Sequence, residues 1–177
     1  MTAGFVVDAS GVVEFLAPGR HRAAADRLIG GLAWSEPLEL FAPDLLLLEV
    51  ANVLRRLAEA RAISHAAADR AVARLPQLAI AMFASGALLE EAWTLRRRMT
   101  VYDGAYAGLS RSLERPLVTT DRRLARACAA AGIEAYTVDQ PELARLLEAL
   151  EPGSTPMGRK KPDLPDPPRM NPSRRLR

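Results

Sequence analysis

The chain has 177 residues, with 49% apolar and 5% aromatic residues and a net charge of +3. This length fits one domain with a sizeable core, which excludes disorder of the whole chain, and the scarcity of aromatics argues against a nucleobase-stacking platform. The single cysteine, Cys128, excludes an intrachain disulfide and a zinc site made only of thiolates. The apolar run 78–84 is too short to cross a membrane, and we recognise no signal peptide, so a cytoplasmic location is expected.

The positive charge is concentrated in the last part of the sequence. Residues 1–150 contain 17 arginines and 18 acidic residues, for a net charge of −1, whereas residues 151–177 contain seven basic and three acidic residues, for +4. Seven of the 13 prolines also lie in 151–177. We therefore expect a folded domain over residues 1–150 and a disordered, Pro-rich basic tail over 151–177. A solvated extension is the simpler interpretation of this tail, and a basic arm that attracts nucleic-acid phosphates is the alternative.

Hydrophobic periodicity and turn residues indicate alternating strands and helices. In chain order, the sequence predicts strand 4–7, helix 10–16, helix 20–29, strand 38–42, helix 43–60, helix 64–75, strand 78–83, helix 86–98, helix 100–113, strand 116–120, helix 121–132, strand 134–138 and helix 141–150. Pro43 suits a helical first turn, and four hydroxyl residues are predicted as helix N-caps, namely Ser10, Ser64, Ser85 and Thr100. The alternation predicts an α/β fold with a mainly parallel central sheet flanked by helices on both faces.

Several classes of chemistry lack the residues that they need. The two histidines, His21 and His65, lie in polar helical segments and are expected at the surface, so a histidine-activated nucleophile is disfavoured. The two lysines, Lys160 and Lys161, both lie in the tail, which argues against phosphotransfer folds that use a core lysine. No nucleophile elbow, HExxH motif or phosphate loop occurs in a suitable strand and helix context.

Three carboxylates lie where a binding site would be expected. Asp8 and Asp121 each follow a predicted strand, and ligands of open α/β sheets bind beyond such carboxyl ends. Each of them could instead cap the helix that follows. Asp103 lies three residues after Thr100, as in a capping box, and its side chain would there approach the loops that leave the strands.

Glu49 is a fourth candidate, on a leucine-rich helix. Its helical neighbours are apolar, namely Leu45, Leu46, Val50 and Val53, so it lies on or beside the apolar face. An unpaired carboxylate there would be costly or would stay protonated, so Glu49 needs a partner, either a metal ion or a distant arginine. The alternative is an edge position from which its head group reaches solvent.

These four acids indicate a metal-dependent site if they converge. Carboxylates that meet without lysine or histidine repel one another unless a hard cation joins them. Oxygen-only ligands suit Mg²⁺ or Mn²⁺, which take their remaining ligands from water and substrate phosphate. Metal-activated water beside a phosphate indicates phosphodiester hydrolysis.

The segments that carry these acids resemble a known family. They are residues 6–10 (VVDAS), 49–54 (EVANVL), 102–106 (YDGAY) and 117–121 (LVTTD). Together they resemble the PIN-domain ribonucleases, and their order, spacing and the small size of the chain are most similar to the VapC-type toxins of bacterial toxin–antitoxin pairs. The resemblance covers about residues 4–147 and implies a PIN-like three-layer fold.

The resemblance also implies a role for each candidate residue. Asp8 and Asp103 match the acids that chiefly hold the metal ion. Glu49 matches the acid on the helix that completes the pocket, and Asp121 matches the fourth and weakest ligand. The hydroxyls that orient these carboxylates would be those of Ser10 and Thr119.

The implied activity is that of an endoribonuclease that depends on Mg²⁺ or Mn²⁺. Its implied substrate is a structured loop of tRNA or rRNA, and its implied partners are a second copy of the chain, forming a homodimer, and a cognate antitoxin that fills a groove beside the site. Two features depart from the family pattern. One is the tail over 151–177, and the other is Gly104, where a bulkier residue is common and where we expect a looser helix start.

Two alternative functions remain open from the sequence. The first is a catalytically idle PIN fold that serves as a binding protein, which the presence of all four acids disfavours. The second is a small-molecule phosphohydrolase, which would cleave a chromogenic phosphodiester without preferring folded RNA.

Two clusters of arginine flank two of the acids in sequence. One cluster precedes the predicted helix that carries Asp103, and the other immediately follows Asp121. If the acids converge, some of these arginines should line the rim of the pocket and contact RNA phosphates, and the alternative is that they are solvated helix ends. The candidate RNA-contact residues are Arg96, Arg97, Arg98, Arg122 and Arg123.

Overall fold

The computed structural model describes residues 3–17, 19–30 and 38–150. The strands are β1 (Ala3–Val7), β2 (Leu38–Pro43), β3 (Ile80–Phe83), β4 (Leu117–Thr119) and β5 (Ala135–Thr137). The helices are α1 (Ala9–Leu16), α2 (Arg22–Ala25), α3 (Leu46–Glu59), α4 (His65–Arg74), α5 (Leu89–Thr94), α6 (Val101–Leu113), α7 (Arg122–Ala130) and α8 (Pro141–Ala149). α2 continues as a π-helical turn (Asp26–Gly30), and the tail predicted over 151–177 lies outside the described residues.

All five strands run parallel in one sheet, in the order β3-β2-β1-β4-β5. β1 lies in the centre, with Val6 beside Phe41 of β2 and Val7 beside Val118 of β4. The strand order advances in one direction from β1 through β2 to β3, and in the other direction from β4 to β5. The connections therefore diverge between β1 and β4, and such a switch point opens a crevice at the carboxyl ends of the strands.

The core encloses the sheet on both faces. Val6 and Val7 are successive residues of β1, and both have 0% exposure. Because successive side chains of a strand point to opposite faces, helices must cover both sides of the sheet. The predicted α/β fold with a parallel central sheet is thus confirmed. No helix in the described ranges is long and apolar enough to cross a membrane.

Two predicted helix starts are displaced in the structure. Asp8 occupies the N-cap position of α1, so the prediction that Ser10 caps this helix is wrong and Ser10 lies in its first turn. Pro43 is the last residue of β2, beside Phe83 of β3, whereas α3 begins only at Leu46. Proline fits a strand end as well as a helix start because both tolerate a missing N–H, so the local pattern could not distinguish them.

A third helix start is also wrong, whereas two caps are confirmed. Ser85 begins a 3-10 turn and its hydroxyl contacts the carboxylate of Asp44, so the helix predicted over 86–98 shortens to α5. Ser64 accepts a hydrogen bond from a backbone N–H in the first turn of α4, and Thr100 does the same for α6, each at 3.1 Å. The hydroxyl of Ser85 thus bonds to Asp44, 41 residues away, and does not cap a helix as the local sequence predicts.

Gly104 allows α5 and α6 to pack closely at the start of α6. A Cβ atom at Gly104 would lie 2.9 Å from the backbone carbonyl oxygen of Ala92 and 3.1 Å from its Cα. The first distance is shorter than real Cβ contacts, and its partner is a backbone atom, so only glycine fits without a shift of the backbone. Gly104 therefore allows tight packing at the start of α6. The looser helix start expected from the sequence is wrong.

Candidate active site

Asp8 lies at the point of the sheet where the strand order reverses. It directly follows β1, and its backbone N–H donates a 3.0 Å hydrogen bond to the carbonyl of Val118 in β4. Although Asp8 is at the N-cap position of α1, its side chain makes no capping hydrogen bond. The residue is only 8% exposed. A capping role therefore does not account for this buried carboxylate.

Two hydroxyls hold one oxygen of the Asp8 carboxylate. Oδ2 accepts hydrogen bonds from Ser10 Oγ at 2.7 Å and from Thr119 Oγ1 at 2.6 Å. The Ser10 hydroxyl in turn accepts the backbone N–H of Thr120, and the Thr119 hydroxyl accepts that of Asp121, each at 2.9 Å. Because these N–H groups occupy lone pairs of the hydroxyls, the hydroxyl protons are directed towards Asp8. Both hydroxyl bonds go to Oδ2, and a backbone hydrogen bond from Ser10 also acts on the carboxylate.

Glu49 finds its partner on a distant helix. Its Oε2 accepts a 2.6 Å hydrogen bond from the phenol of Tyr106, 57 residues further along the chain in α6. The sequence predicts a metal ion or an arginine as the partner of Glu49, and the structure shows Tyr106 instead. One signal was present in the sequence, since Tyr106 follows Asp103 by three residues and thus lies on the same face of the helix.

Asp103 contributes a third carboxylate from the first turn of α6. Its backbone N–H donates to the hydroxyl of Thr100, which fixes the start of the helix. Within the described residues its half-buried carboxylate accepts no hydrogen bond, but it interacts electrostatically with both Asp8 and Glu49. We call Asp8, Glu49 and Asp103 the acid cluster.

The acid cluster is electrostatically strained. Burial raises the pKa of Asp8, the hydrogen bonds from the two hydroxyls oppose this shift, and the charge of Asp103 adds to it. Burial likewise raises the pKa of Glu49, the bond from Tyr106 lowers it, and the charges of the other two acids raise it. Among the described residues, no basic side chain contributes to the pKa shift of either acid. A cation placed among these carboxylates would relieve both the repulsion and the burial cost.

Asp121 lies beside the acid cluster but has a different partner. Its carboxylate caps α7 by accepting the backbone N–H of Arg123 at 2.7 Å, and it also meets the Arg123 guanidinium at 3.4 Å. Partial burial raises the pKa of Asp121, but the bonds from Arg123 outweigh it, and the net shift is downward. The structure thus places three of the four predicted acids within electrostatic range of one another, and it links the fourth to Asp8 through its backbone N–H and Thr119.

The two arginine clusters lie at opposite ends of α7. Arg98 donates a 2.7 Å hydrogen bond to the carbonyl of Ala130, the last residue of α7, whereas Arg122 and Arg123 form the first turn of the same helix. A nine-residue helix separates these ends by about 13 Å. Arg98 therefore stabilises a helix C-terminus, and it cannot share one phosphate with Arg122 and Arg123.

The other candidate arginines differ in their surroundings. Arg96 stacks on the ring of Trp93 at 4.7 Å, and Arg97 is exposed. Arg122 pairs with Asp139 at 2.7 Å and lines a cavity of about 330 Å³ between α7 and the start of α8. Arg122 and Arg123 are thus the candidates that lie nearest in sequence and structure to an acid of the site.

The donor set suits a hard divalent ion that keeps part of its water shell. In the ranges that the structure describes, no three His, Cys, Asp or Glu side chains converge closely enough to enclose an ion. The acid cluster is therefore open instead of a closed coordination shell. Mg²⁺ is commonly held by only one or two carboxylates, with waters and substrate phosphates completing its shell. Oxygen ligands without nitrogen or sulfur fit this mode of binding.

Known proteins with a similar sequence or structure share this fold and indicate the family of the chain. Residues 5–130 match the PIN domain family. The solved structure of PAE2754 from Pyrobaculum aerophilum superposes with a TM-score of 0.58 at 26% sequence identity, over 84% of this chain and 99% of that one.

Curated relatives share most of their length with this chain. Ribonuclease VapC1 of Mycobacterium tuberculosis is 39% identical over 123 residues, which cover 69% of this chain and 89% of that protein. Ribonuclease VapC3 of Pyrobaculum aerophilum is 31% identical over 124 residues, which cover 68% and 91%. The order of the segments, the parallel sheet and these identities agree, and the chain belongs to the PIN-domain family and, within it, to the VapC-type ribonuclease toxins.

Proposed function

We propose that this chain is an endoribonuclease that requires Mg²⁺ or Mn²⁺ and acts as the toxin of a toxin–antitoxin pair. The observation that carries the metal requirement is the acid cluster. Its three carboxylates come from three different parts of the fold and repel one another, and within the described residues the other groups acting on Asp8 and Glu49 are neutral hydroxyls and backbone. Such an arrangement is unfavourable by itself and becomes favourable when a cation binds.

In this proposal Asp8 and Asp103 hold the divalent ion, Glu49 completes the site, and Asp121 is the weakest ligand. When bound, the ion supplies a positive charge that activates water and stabilises charge on the scissile phosphate. The protein's own contribution is orientation, since hydrogen bonds fix Asp8 and Glu49 before the substrate arrives. The crevice at the switch point supplies the opening through which an RNA backbone can approach.

The partners follow from the family. VapC relatives are ribonucleases by name, which supports RNA as the substrate of this chain. We propose a structured tRNA or rRNA loop as the target, a cognate antitoxin as the inhibitor, and a homodimer as the assembly. The domain over residues 1–150 has a net charge of −1, so its overall field does not attract RNA and local arginines must do so.

Removing the metal is expected to abolish RNA cleavage. The purified chain, free of any antitoxin, is incubated with folded tRNA and rRNA fragments in Mg²⁺, in Mn²⁺ and in excess EDTA, and the products are mapped by sequencing their ends. We expect cleavage at defined positions with either ion, none in EDTA, and recovery when Mn²⁺ is added back. Full cleavage in EDTA would contradict the metal requirement, and cleavage of a chromogenic phosphodiester without cleavage of RNA would indicate a small-molecule phosphohydrolase.

Removing Arg122 and Arg123 is expected to weaken RNA binding without weakening metal binding. In the Arg122→Ala, Arg123→Ala double variant, each lost phosphate contact should reduce the slope of log K against log salt by close to one unit. Mn²⁺ affinity should stay equal or rise, because nearby positive charge opposes the cation. Arg55→Ala combined with Arg56→Ala is the matched control, since both are exposed on α3. An unchanged salt slope in the first pair would assign Arg122 and Arg123 to the solvated surface.

A further inference from the structure

Tyr106 is a buried phenol whose one hydrogen-bond partner, within the part of the chain that the structure describes, is an acid of the proposed site. The residue is 1% exposed, and its ring lies in the core beneath α6. Its hydroxyl donates to Glu49 Oε2 at 2.6 Å, a short bond of the charge-assisted kind. The charges of Glu49, Asp8 and Asp103 all act on this hydroxyl, which therefore lies close to the whole acid cluster.

The hydrogen bond from Tyr106 fixes one carboxylate oxygen of Glu49 and does not involve the other. Within the described residues Glu49 has no hydrogen-bond partner besides Tyr106, so Oε1 is not engaged. A glutamate side chain has three rotatable bonds and samples many rotamers when it is unconstrained, whereas a tyrosine ring packed in a core has little freedom. The rigid Tyr106 ring thus determines the position of the more mobile Glu49 side chain.

Asp8 shows the same arrangement on the other side of the cluster. The hydroxyls of Ser10 and Thr119 both donate to its Oδ2. In both Asp8 and Glu49, neutral hydroxyls thus hold one carboxylate oxygen. These hydrogen bonds orient the carboxylate and do not neutralise its charge. Hydrogen bonds of this kind from outside a metal's own ligands orient those ligands, and their loss typically costs about 10- to 100-fold in metal affinity or activity.

We propose that Tyr106 is a positioning residue, whose phenol holds Oε2 of Glu49 and leaves Oε1 available to a divalent ion. This inference rests on the proposed metal-dependent function. It differs from a purely structural role, in which the phenol only finds an acceptor for its buried O–H group. In the positioning role, the hydroxyl affects metal binding through Glu49 and through no other residue.

A double-mutant cycle on Mn²⁺ binding tests this role. Tyr106→Phe removes the hydroxyl and keeps the ring in the core, and Glu49→Gln keeps the shape of the side chain and removes its charge. Mn²⁺ affinity is measured by calorimetry, and by electron paramagnetic resonance of free Mn²⁺, for the wild type, both single variants and the double variant. We expect Tyr106→Phe to weaken Mn²⁺ binding about 10-fold in the wild-type background and not at all in the Glu49→Gln background.

The outcomes separate this inference from the proposed function. An equal loss of affinity in both backgrounds would show that the hydroxyl acts on the fold and not through Glu49, and no loss in either would show that it has no role in metal binding. A folded wild type that binds no Mn²⁺ would contradict the metal site itself. Tyr136→Phe is the matched control, since its phenol also donates to a glutamate, Glu134, and lies on β5 outside the site. It should leave Mn²⁺ affinity unchanged.

Discussion

Replacing Asp8 with asparagine is expected to reduce RNA cleavage by more than about 100-fold while raising the stability of the metal-free protein. The amide conserves the shape of the side chain and can still accept the two hydroxyl hydrogen bonds, so the fold should persist. It removes the charge that would bind the cation, and with it the cost of burying a carboxylate close to Asp103. Cleavage rates and melting temperatures of the wild type and the variant measure the two effects.

The gain in stability should depend on pH in a defined direction. Because burial raises the pKa of Asp8, the folded state binds its proton more readily than the unfolded state does. The free energy of unfolding therefore falls as pH rises from the ordinary aspartate pKa to the raised pKa of Asp8. Above the raised pKa, Asp8 is charged in both states and its full destabilising effect is present. The advantage of Asp8→Asn should be largest near neutral pH and should shrink on acidification.

Asp69→Asn on α4 is the control for both effects, since Asp69 is exposed and α4 carries no residue of the acid cluster. It should change neither cleavage nor the pH dependence of melting. Wild-type cleavage by folded Asp8→Asn would remove Asp8 from the proposed metal site, and a lower melting temperature at neutral pH would show that its carboxylate stabilises the metal-free fold.

Replacing Gly104 with valine is expected to destabilise the protein by about 1–3 kcal/mol, the usual range for overpacking a close contact. The new Cβ would meet the backbone carbonyl of Ala92, which cannot rotate away as a flexible side chain could. Helix α5 or α6 must then shift, and a shift of α6 would also displace Asp103. Urea denaturation gives the change in the free energy of unfolding.

Gly86→Ala is the control for this substitution, because a Cβ built at Gly86 would meet no atom within 4 Å apart from its own chain neighbours. It should be nearly neutral. Equal stability of Gly104→Val and the wild type would mean that α5 and α6 adapt without cost, and that the close contact at the start of α6 does not limit the residue at this position.

The fold was predictable because its signals are local. Short apolar runs such as the one that ends before Asp8 indicate buried strands, and their alternation with helical periodicity indicates a parallel sheet. The exact helix starts were less predictable, since Asp8 and Ser10 are both good N-cap residues two positions apart. Their assignment depends on Thr119 and Thr120, which lie more than 100 residues away and bind the hydroxyl and carboxylate that would otherwise cap.

The site was predictable only where its residues have local sequence signals. Acids after strands and in a helical first turn can be located from sequence, and the reversal of strand order brings Asp8 close to the carboxyl end of β4. The contact between Glu49 and Tyr106 joins two helices that no local pattern relates. Arg98 likewise reaches a carbonyl 32 residues away, so its place in a basic cluster did not reveal its contact with the end of α7.

Mn²⁺ titration of the wild type and of Asp8→Asn at neutral pH tests the central claim most directly, because it measures the cation that the acid cluster is proposed to hold without requiring knowledge of the RNA target. We predict saturable binding by the wild type that is lost or strongly weakened in Asp8→Asn and kept in Asp69→Asn. Absence of binding by the folded wild type, or equal binding by Asp8→Asn, would contradict the account.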